Sequence, residues 1–173
     1  MGRLKNRLMA KLLTKHPSLV DRFLEKADTL VAGINLAGMP WTPMKKPLSE
    51  SRVALVTTAG VHLGTQKPFD MKDPDGDPSF REISSGARRE DLTITHDYYD
   101  HSDADKDINI VFPVDRLKEL SASGLIGEVG PRFFGLMGHI SGRHVKTLYD
   151  DTAREIARRL KEDLVDAVVL TPG

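Results

Sequence analysis

Residues 52–64 read RVALVTTAGVHLG. The unbroken apolar run Val53–Val56 stops at Thr57, Thr58, Ala59 and Gly60, the pattern of a buried β-strand whose carboxyl end opens into a tight turn. Small residues there let a ligand or a second loop approach the backbone. Open parallel sheets place their ligands outside the carboxyl ends of the strands, so this turn is expected to line a cleft. An ordinary buried strand and turn would read the same way.

Working outward, Asp166–Thr171 (DAVVLT) is a second strand, read as buried and ending at Pro172-Gly173. Leu92–Thr95 alternates as a short strand, and Ile108–Phe112 is a third apolar run broken by Pro113. Asp115 is placed to cap a helix over 116–123. Gly124, Gly127 and Gly130 punctuate a short strand or turn, and Phe133, Phe134, Leu136 and Met137 form a further apolar patch ending at Gly138-His139. From Val145, the positions Leu148, Ala153, Ile156, Ala157 and Leu160 keep a helical stripe through Lys161. Residues 66–90, rich in Pro, Gly and Asp, are expected to be irregular over most of their length. Strands separated by helices argue for an α/β domain with a parallel sheet, Rossmann-like or flavodoxin-like in three layers. Such folds continue past a strand end into a loop and helix, so the domain reads as incomplete at its carboxyl terminus.

Ahead of this domain, Leu4, Leu8 and Leu12 lie four apart, and Val20, Phe23, Ala27, Leu30 and Ile34 continue the helical spacing after Pro17. The expected organisation is a helical hairpin arm at 1–36, a Pro-rich connector at 37–51 and the α/β domain at 52–173. The arm either covers a sheet face or makes a subunit contact.

The chain has 173 residues, 39% hydrophobic and 29% charged, which is enough for one domain with a core. Its 25 basic and 25 acidic residues give no overall pull toward nucleic acid or an acidic membrane. The charge is unevenly placed: residues 1–47 hold nine Lys and Arg against three Asp and Glu, and residues 70–107 hold five against twelve. There is no cysteine, which excludes disulfides, thiolate zinc and cysteine nucleophiles within these residues. No apolar run approaches the roughly 20 residues of a membrane span, and the basic start lacks a secretory pattern, so a cytoplasmic location is expected.

The densest polar group is His96, Asp97, Tyr99, Asp100 and His101, followed by Asp103, Asp105 and Asp107. Imidazole and carboxylate at this density suit a divalent metal or, alternatively, a hydrogen-bonded loop at a strand end. The spacing of Asp103, Asp105 and Asp107 argues against calcium of the EF-hand kind, because Ile108 and Val114 stand where the loop glycine and bidentate glutamate belong. Dinucleotide-binding, Walker-type and nucleophile-elbow signatures are missing. His62, just past the turn, serves either as a general acid or base or as a structural hydrogen-bonder, and His139 and His144 share that ambiguity.

Read together, VTTAGVHLGTQKPF (56–69), SFREI (79–83), DLTITHDYYDHSDADKDINIVFPVDRLKEL (91–120), IGEVGPRFFGLMG (126–138) and DAVVLTPG (166–173) resemble the selenoprotein B family. These are the selenocysteine-bearing subunits of glycine, sarcosine, betaine and D-proline reductases. The most specific piece is His96-x-x-Tyr99-Asp100, followed by Asp107-x-Asn109 and Phe112-Pro113-x-Asp115-Arg116-Leu117. The resemblance implies that the final strand leads into a selenocysteine-x-x-Cys type motif, with selenocysteine at the position after Gly173. A chain released at a selenocysteine codon read as stop is then expected, inactive as it stands; a natural or deliberate short form is the alternative. The implied chemistry is reductive C–N cleavage. A pyruvoyl group on a partner subunit activates some substrates, a redox donor protein supplies electrons, and an oligomer is expected.

By the same resemblance, His96, His62 and Tyr99 are the catalytic candidates, the histidines protonating the leaving nitrogen and Tyr99 donating a hydrogen bond. Asp100, Arg116, Thr58, Gly60 and Asn109 are the substrate-binding candidates, with Arg116 gripping a carboxylate. For Asp115-Arg116, a helix cap and a surface ion pair explain the residues equally well. No resident metal, nucleic acid or membrane partner is implied. Two other functions stay open: a non-catalytic binding or assembly homologue, and a metal-dependent enzyme using the His96–Asp107 cluster.

Overall fold

β1 (Arg52–Thr57) lies at the middle of the sheet because both of its edges are paired. The computed structural model describes residues 2–15 and 42–173. On one edge β1 runs parallel to β7 (Ala167–Thr171), in register from Val53↔Ala167 to Thr57↔Thr171. On the other it runs parallel first to β5 (Glu128–Val129) and then to β6 (Arg132–Gly135). The offset between partners grows by two residues across Gly130-Pro131, so this edge is one strand interrupted by a bulge. β3 (Arg81–Ser84) closes the far edge antiparallel to β6. A separate two-stranded ribbon joins β2 (Val61–Leu63) to β4 (Leu92–Ile94). The fold is therefore mixed α/β with a mostly parallel sheet.

Neighbouring residues of β6 supply both faces of the sheet, since strand side chains alternate. Phe133 meets Phe112 edge to face at 5.7 Å, and Phe134 meets Phe80 at 5.6 Å. Phe80 in turn lies under the Arg159 guanidinium of the last helix. Val53, Ala54, Leu55, Ile83, Phe112, Phe133 and Phe134 are all buried.

Helix α1 (Gly2–Lys15) matches the expected Leu4/Leu8/Leu12 element, and those three leucines are exposed. The second helix of the expected hairpin and the start of the connector lie outside the described residues. Helix α2 (Val114–Ala122) begins two residues earlier than expected, with Pro113 at its N-cap position. Asp115 is not its cap: Asn109 Oδ1 accepts from the Asp115 amide at 3.1 Å, and Asn109 Nδ2 donates to Asp115 Oδ2 at 2.9 Å. Within the apolar run 108–112, Ile108–Ile110 forms a 3₁₀ turn.

The carboxyl-terminal helix comprises α3 (His144–Thr147), a π-turn (Leu148–Thr152) and α4 (Ala153–Glu162). The extra residue of the π-turn rotates the stripe. Thr152, Ile156 and Leu160 are buried, Ala153 and Ala157 are exposed, and Thr152 Oγ1 donates to Pro78 O at 2.7 Å. Two strands are not marked by the sequence pattern: β2 follows the turn without a break, and β3 lies within the stretch expected to be irregular. β7 is present but exposed, with Leu170 at 74%.

The described residues fall into two compact units, one comprising α1 with Asp97–Asp100 and the other Met44–His96 with His101–Gly173. No helix among the described residues is long and apolar enough to cross a membrane.

Candidate strand-end site

The carboxyl ends of β1, β6, β7 and the ribbon meet at one place. Thr58 N donates to Thr171 O at 3.0 Å, Gly60 N to Leu136 O at 2.8 Å, and Thr95 N to Gly60 O at 2.9 Å. Ala59 and Met137 form an antiparallel bridge just beyond the strands. Gly60 holds φ +75°, and a Cβ on it would lie 2.4 Å from Thr95 O, so conformation and space both demand glycine. A Cβ on Gly173 would lie 2.3 Å from Ala59 Cα, which seats the end of β7 directly on the β1 turn.

His96 is 3% exposed, and its Nε2 accepts from the Gly138 amide at 3.2 Å, so the neutral ring carries its proton on Nδ1. The position of a Gly138 Cβ is 3.1 Å from Thr58 O and 3.5 Å from His96 Nε2. Backbone and imidazole thus converge where only small residues fit. Beneath them, Thr57 Oγ1 and Thr171 Oγ1 both donate to Val111 O, at 2.9 and 2.7 Å, pinning the 3₁₀ segment across the ends of β1 and β7.

Among the expected site residues, the structure brings together Thr58, Gly60 and His96. His62 lies one bond behind them: Nδ1 donates to Leu63 O and Nε2 accepts from Thr95 Oγ1, each at 2.8 Å. Burial pushes its imidazolium pKa down, opposed by the Leu63 carbonyl and reinforced by the nearby Arg81 charge. Tyr99 and Asp100 are half-buried in the 97–100 segment that clusters with α1. Asn109 serves the start of α2, with a further bond from its amide to Asp107. Arg116 is 61% exposed and pairs with Glu119 at 2.8 Å.

Two residues named in the sequence have roles that it does not reveal. Gly138 carried the signal already read at Thr58–Gly60, small residues straight after an apolar run. The other is Asp97, 1% exposed, which accepts from Arg3 Nε at 2.5 Å and pairs with Arg7 Nε at 3.0 Å. Burial alone would raise this carboxyl, but the Arg3 hydrogen bonds and the Arg3 and Arg7 charges more than offset it and hold it below the usual carboxylate range. The i,i+4 spacing of the arginines puts both on one helix face. Nothing local named a partner over 90 residues away.

Four of the aspartates of 70–107 have a local explanation. Asp70, Asp73, Asp77 and Asp107 each accept from the backbone amide two residues on, at 2.8–3.1 Å, closing their own turns. His101 Nδ1 bonds Asp105 and His144 Nε2 bonds Asp73. Among the described residues no three His, Asp or Glu side chains are grouped to hold a metal ion.

A mostly parallel sheet with a glycine-lined turn and a buried imidazole at its strand ends defines an α/β protein with a strand-end site. Residues 35–173 match the glycine/sarcosine/betaine reductase selenoprotein B family, and the chain belongs to it. It is 44% identical over 133 residues to the D-proline reductase subunit gamma of Acetoanaerobium sticklandii, covering 77% of this chain and 53% of that protein. It is 33% identical over 146 residues to the glycine reductase complex component B subunit gamma of Symbiobacterium thermophilum, covering 77% and 31%. The sarcosine reductase complex component B subunit beta of Peptoclostridium acidaminophilum is 30% identical over 146 residues, covering 77% and 30%. The chain thus spans about half the length of the first of these relatives and under a third of the other two. No solved structure matches it significantly.

Proposed function

We propose that this chain is the strand-end scaffold of a selenocysteine-dependent reductase subunit that cleaves the C–N bond of a small amine, with D-proline as the favoured substrate. The observation that carries the reading is the seating of Gly173 on Ala59, beside Thr58, Gly138 and His96. A selenolate placed just after Gly173 would supply the nucleophile that displaces nitrogen from carbon. The chain's own residues do the rest. Small residues at 59, 60 and 138 let the strand ends pack closely beside that position, and backbone groups of the turn set the direction of approach. His96 gives a proton to the departing nitrogen as the selenium–carbon bond replaces the carbon–nitrogen bond. A thiol of the redox donor protein then attacks the selenium, the carbon leaves with a proton, and the donor's second thiol frees the selenolate as the donor becomes a disulfide. D-proline is favoured by the 44% identity to a D-proline reductase subunit, against 33% or less for the glycine and sarcosine relatives. A partner subunit bearing a pyruvoyl group and a cytoplasmic setting belong to the same reading.

The test is to extend the chain beyond Gly173 with selenocysteine and the remaining region of the D-proline reductase relative. It is then assayed with the pyruvoyl-bearing partner and a dithiol reductant. Ring opening of D-proline is expected, abolished by alkylation and lowered about 10²–10⁴-fold by His96→Gln. No turnover of D-proline, glycine, sarcosine or betaine, or full activity in His96→Gln, would overturn the proposal.

A further inference from the structure

His62 is 2% exposed, and both of its ring nitrogens are engaged. A carbonyl cannot donate, so Nδ1 gives its proton to Leu63 O, and Nε2 is left to accept from the Thr95 hydroxyl. The ring edge packs against Phe69 with centroids 5.9 Å apart. A side chain satisfied in this way does not reach a substrate. Its connection to the site is Thr95, and Thr95 holds the site from two directions. Its amide donates to Gly60 O at 2.9 Å, and its carbonyl fills the space a Gly60 side chain would need. The next residue is His96, whose Nε2 accepts from the Gly138 amide. An uninterrupted path therefore runs from the His62 ring through the Thr95 hydroxyl and backbone to the His96 ring and the Gly138 turn.

We propose that His62 is a positioning residue for His96: as the neutral Nδ1–H imidazole it fixes the Thr95 hydroxyl, and with it the backbone from which His96 projects toward Gly138. The inference rests on the reading of His96 as the imidazole of the site. It gives His62 a role behind the reacting atoms in place of direct proton transfer. Burial and the Arg81 charge both favour the neutral ring this arrangement needs.

The test uses Thr95→Val, which keeps the side-chain shape and removes the donor, in the 173-residue chain. Nitrogen-15 spectra follow the His96 ring and the Gly138 amide. Loss of the His62 tether should shift the His96 ring from a single tautomer toward a mixture. The Gly138 amide should exchange roughly tenfold faster, the size of effect that losing one such hydrogen bond produces. Thr95→Ser, which restores the hydroxyl, should return both signals. His62→Phe should reproduce the Thr95→Val spectra; where it fails to fold, the two Thr95 variants still decide. His96 and Gly138 signals that superimpose on wild type in Thr95→Val would overturn the proposal. That outcome leaves the reductase reading untouched, since turnover tests the latter independently.

Discussion

β1 and β7 lie side by side, paired residue for residue over five positions and built from nearly the same side chains. Val53, Ala54 and Leu55 are at most 3% exposed, whereas Val168, Val169 and Leu170 are 37%, 37% and 74% exposed. β1 is paired on both edges and β7 on one. Apolar and β-branched composition makes each a strand, but burial depends on what lies to either side. The largest expected effect tests this contrast. Leu55→Ala should cost about 2–5 kcal/mol in urea unfolding. Leu170→Ala should change stability by no more than about 0.5 kcal/mol. Equal losses would show that the β7 surface is covered in solution and would erase the distinction.

The turn after β1 sharpens the same point at the level of single glycines. Gly60 and Gly124 share a left-handed backbone, with φ +75° and +73°, but only Gly60 has a neighbour in the way. Gly60→Ala should cost about 2–3 kcal/mol, from conformation and collision with Thr95 O together. Gly124→Ala, with nothing within 4 Å, should cost about 1 kcal/mol from conformation alone. Equal effects in thermal unfolding would mean that the strand-end turn is no tighter than a surface loop.

Asp97 supplies the next effect in size, in the segment that clusters with α1. Asp97→Ala removes a buried carboxylate from Arg3 and Arg7 and should cost about 1–3 kcal/mol near neutral pH. Its folded-state pKa lies below the ordinary value, so the stabilisation is complete above the unfolded pKa and is lost as pH falls through the folded one. The difference between wild type and Asp97→Ala should therefore shrink below about pH 4. A difference that stays constant through acid would remove the ion pair as its cause.

What the sequence made legible follows from how local each cause is. The apolar run of β1 and the Leu4/Leu8/Leu12 spacing announce their elements because strand and helix periods are written along the chain. The small residues after β1 mark the strand end for the same reason. β3 was hidden inside a Pro- and Asp-rich stretch because its stability comes from pairing with β6, some 50 residues later. The π-turn changed which face of the last helix is buried, and Thr152 took the place expected of Ala153. In the candidate site, His96 stood out by its neighbours in sequence. The Gly138 amide that fixes its tautomer, and the arginines that hold the adjacent Asp97, came only with the fold.

The smallest effect bears most closely on how β1 and β7 are joined. Thr57 and Thr171 are register partners, and both hydroxyls donate to Val111 O. Thr57 Oγ1 also accepts from Ala59 N at 3.2 Å. Thr57→Val should cost about 1–2 kcal/mol and Thr171→Val about 0.5–1 kcal/mol. Either single variant leaves the Val111 carbonyl one of these donors, and the double variant takes both. Its cost should therefore exceed the sum of the two in a double-mutant cycle. Coupling of that sign would mean that the exposed strand is anchored at its carboxyl end through the same acceptor as the buried one, which keeps Gly173 seated on the β1 turn whatever covers the middle of β7. A strictly additive cycle would show the two strand ends held independently, and the seating of Gly173 would then rest on the β1–β7 backbone ladder alone.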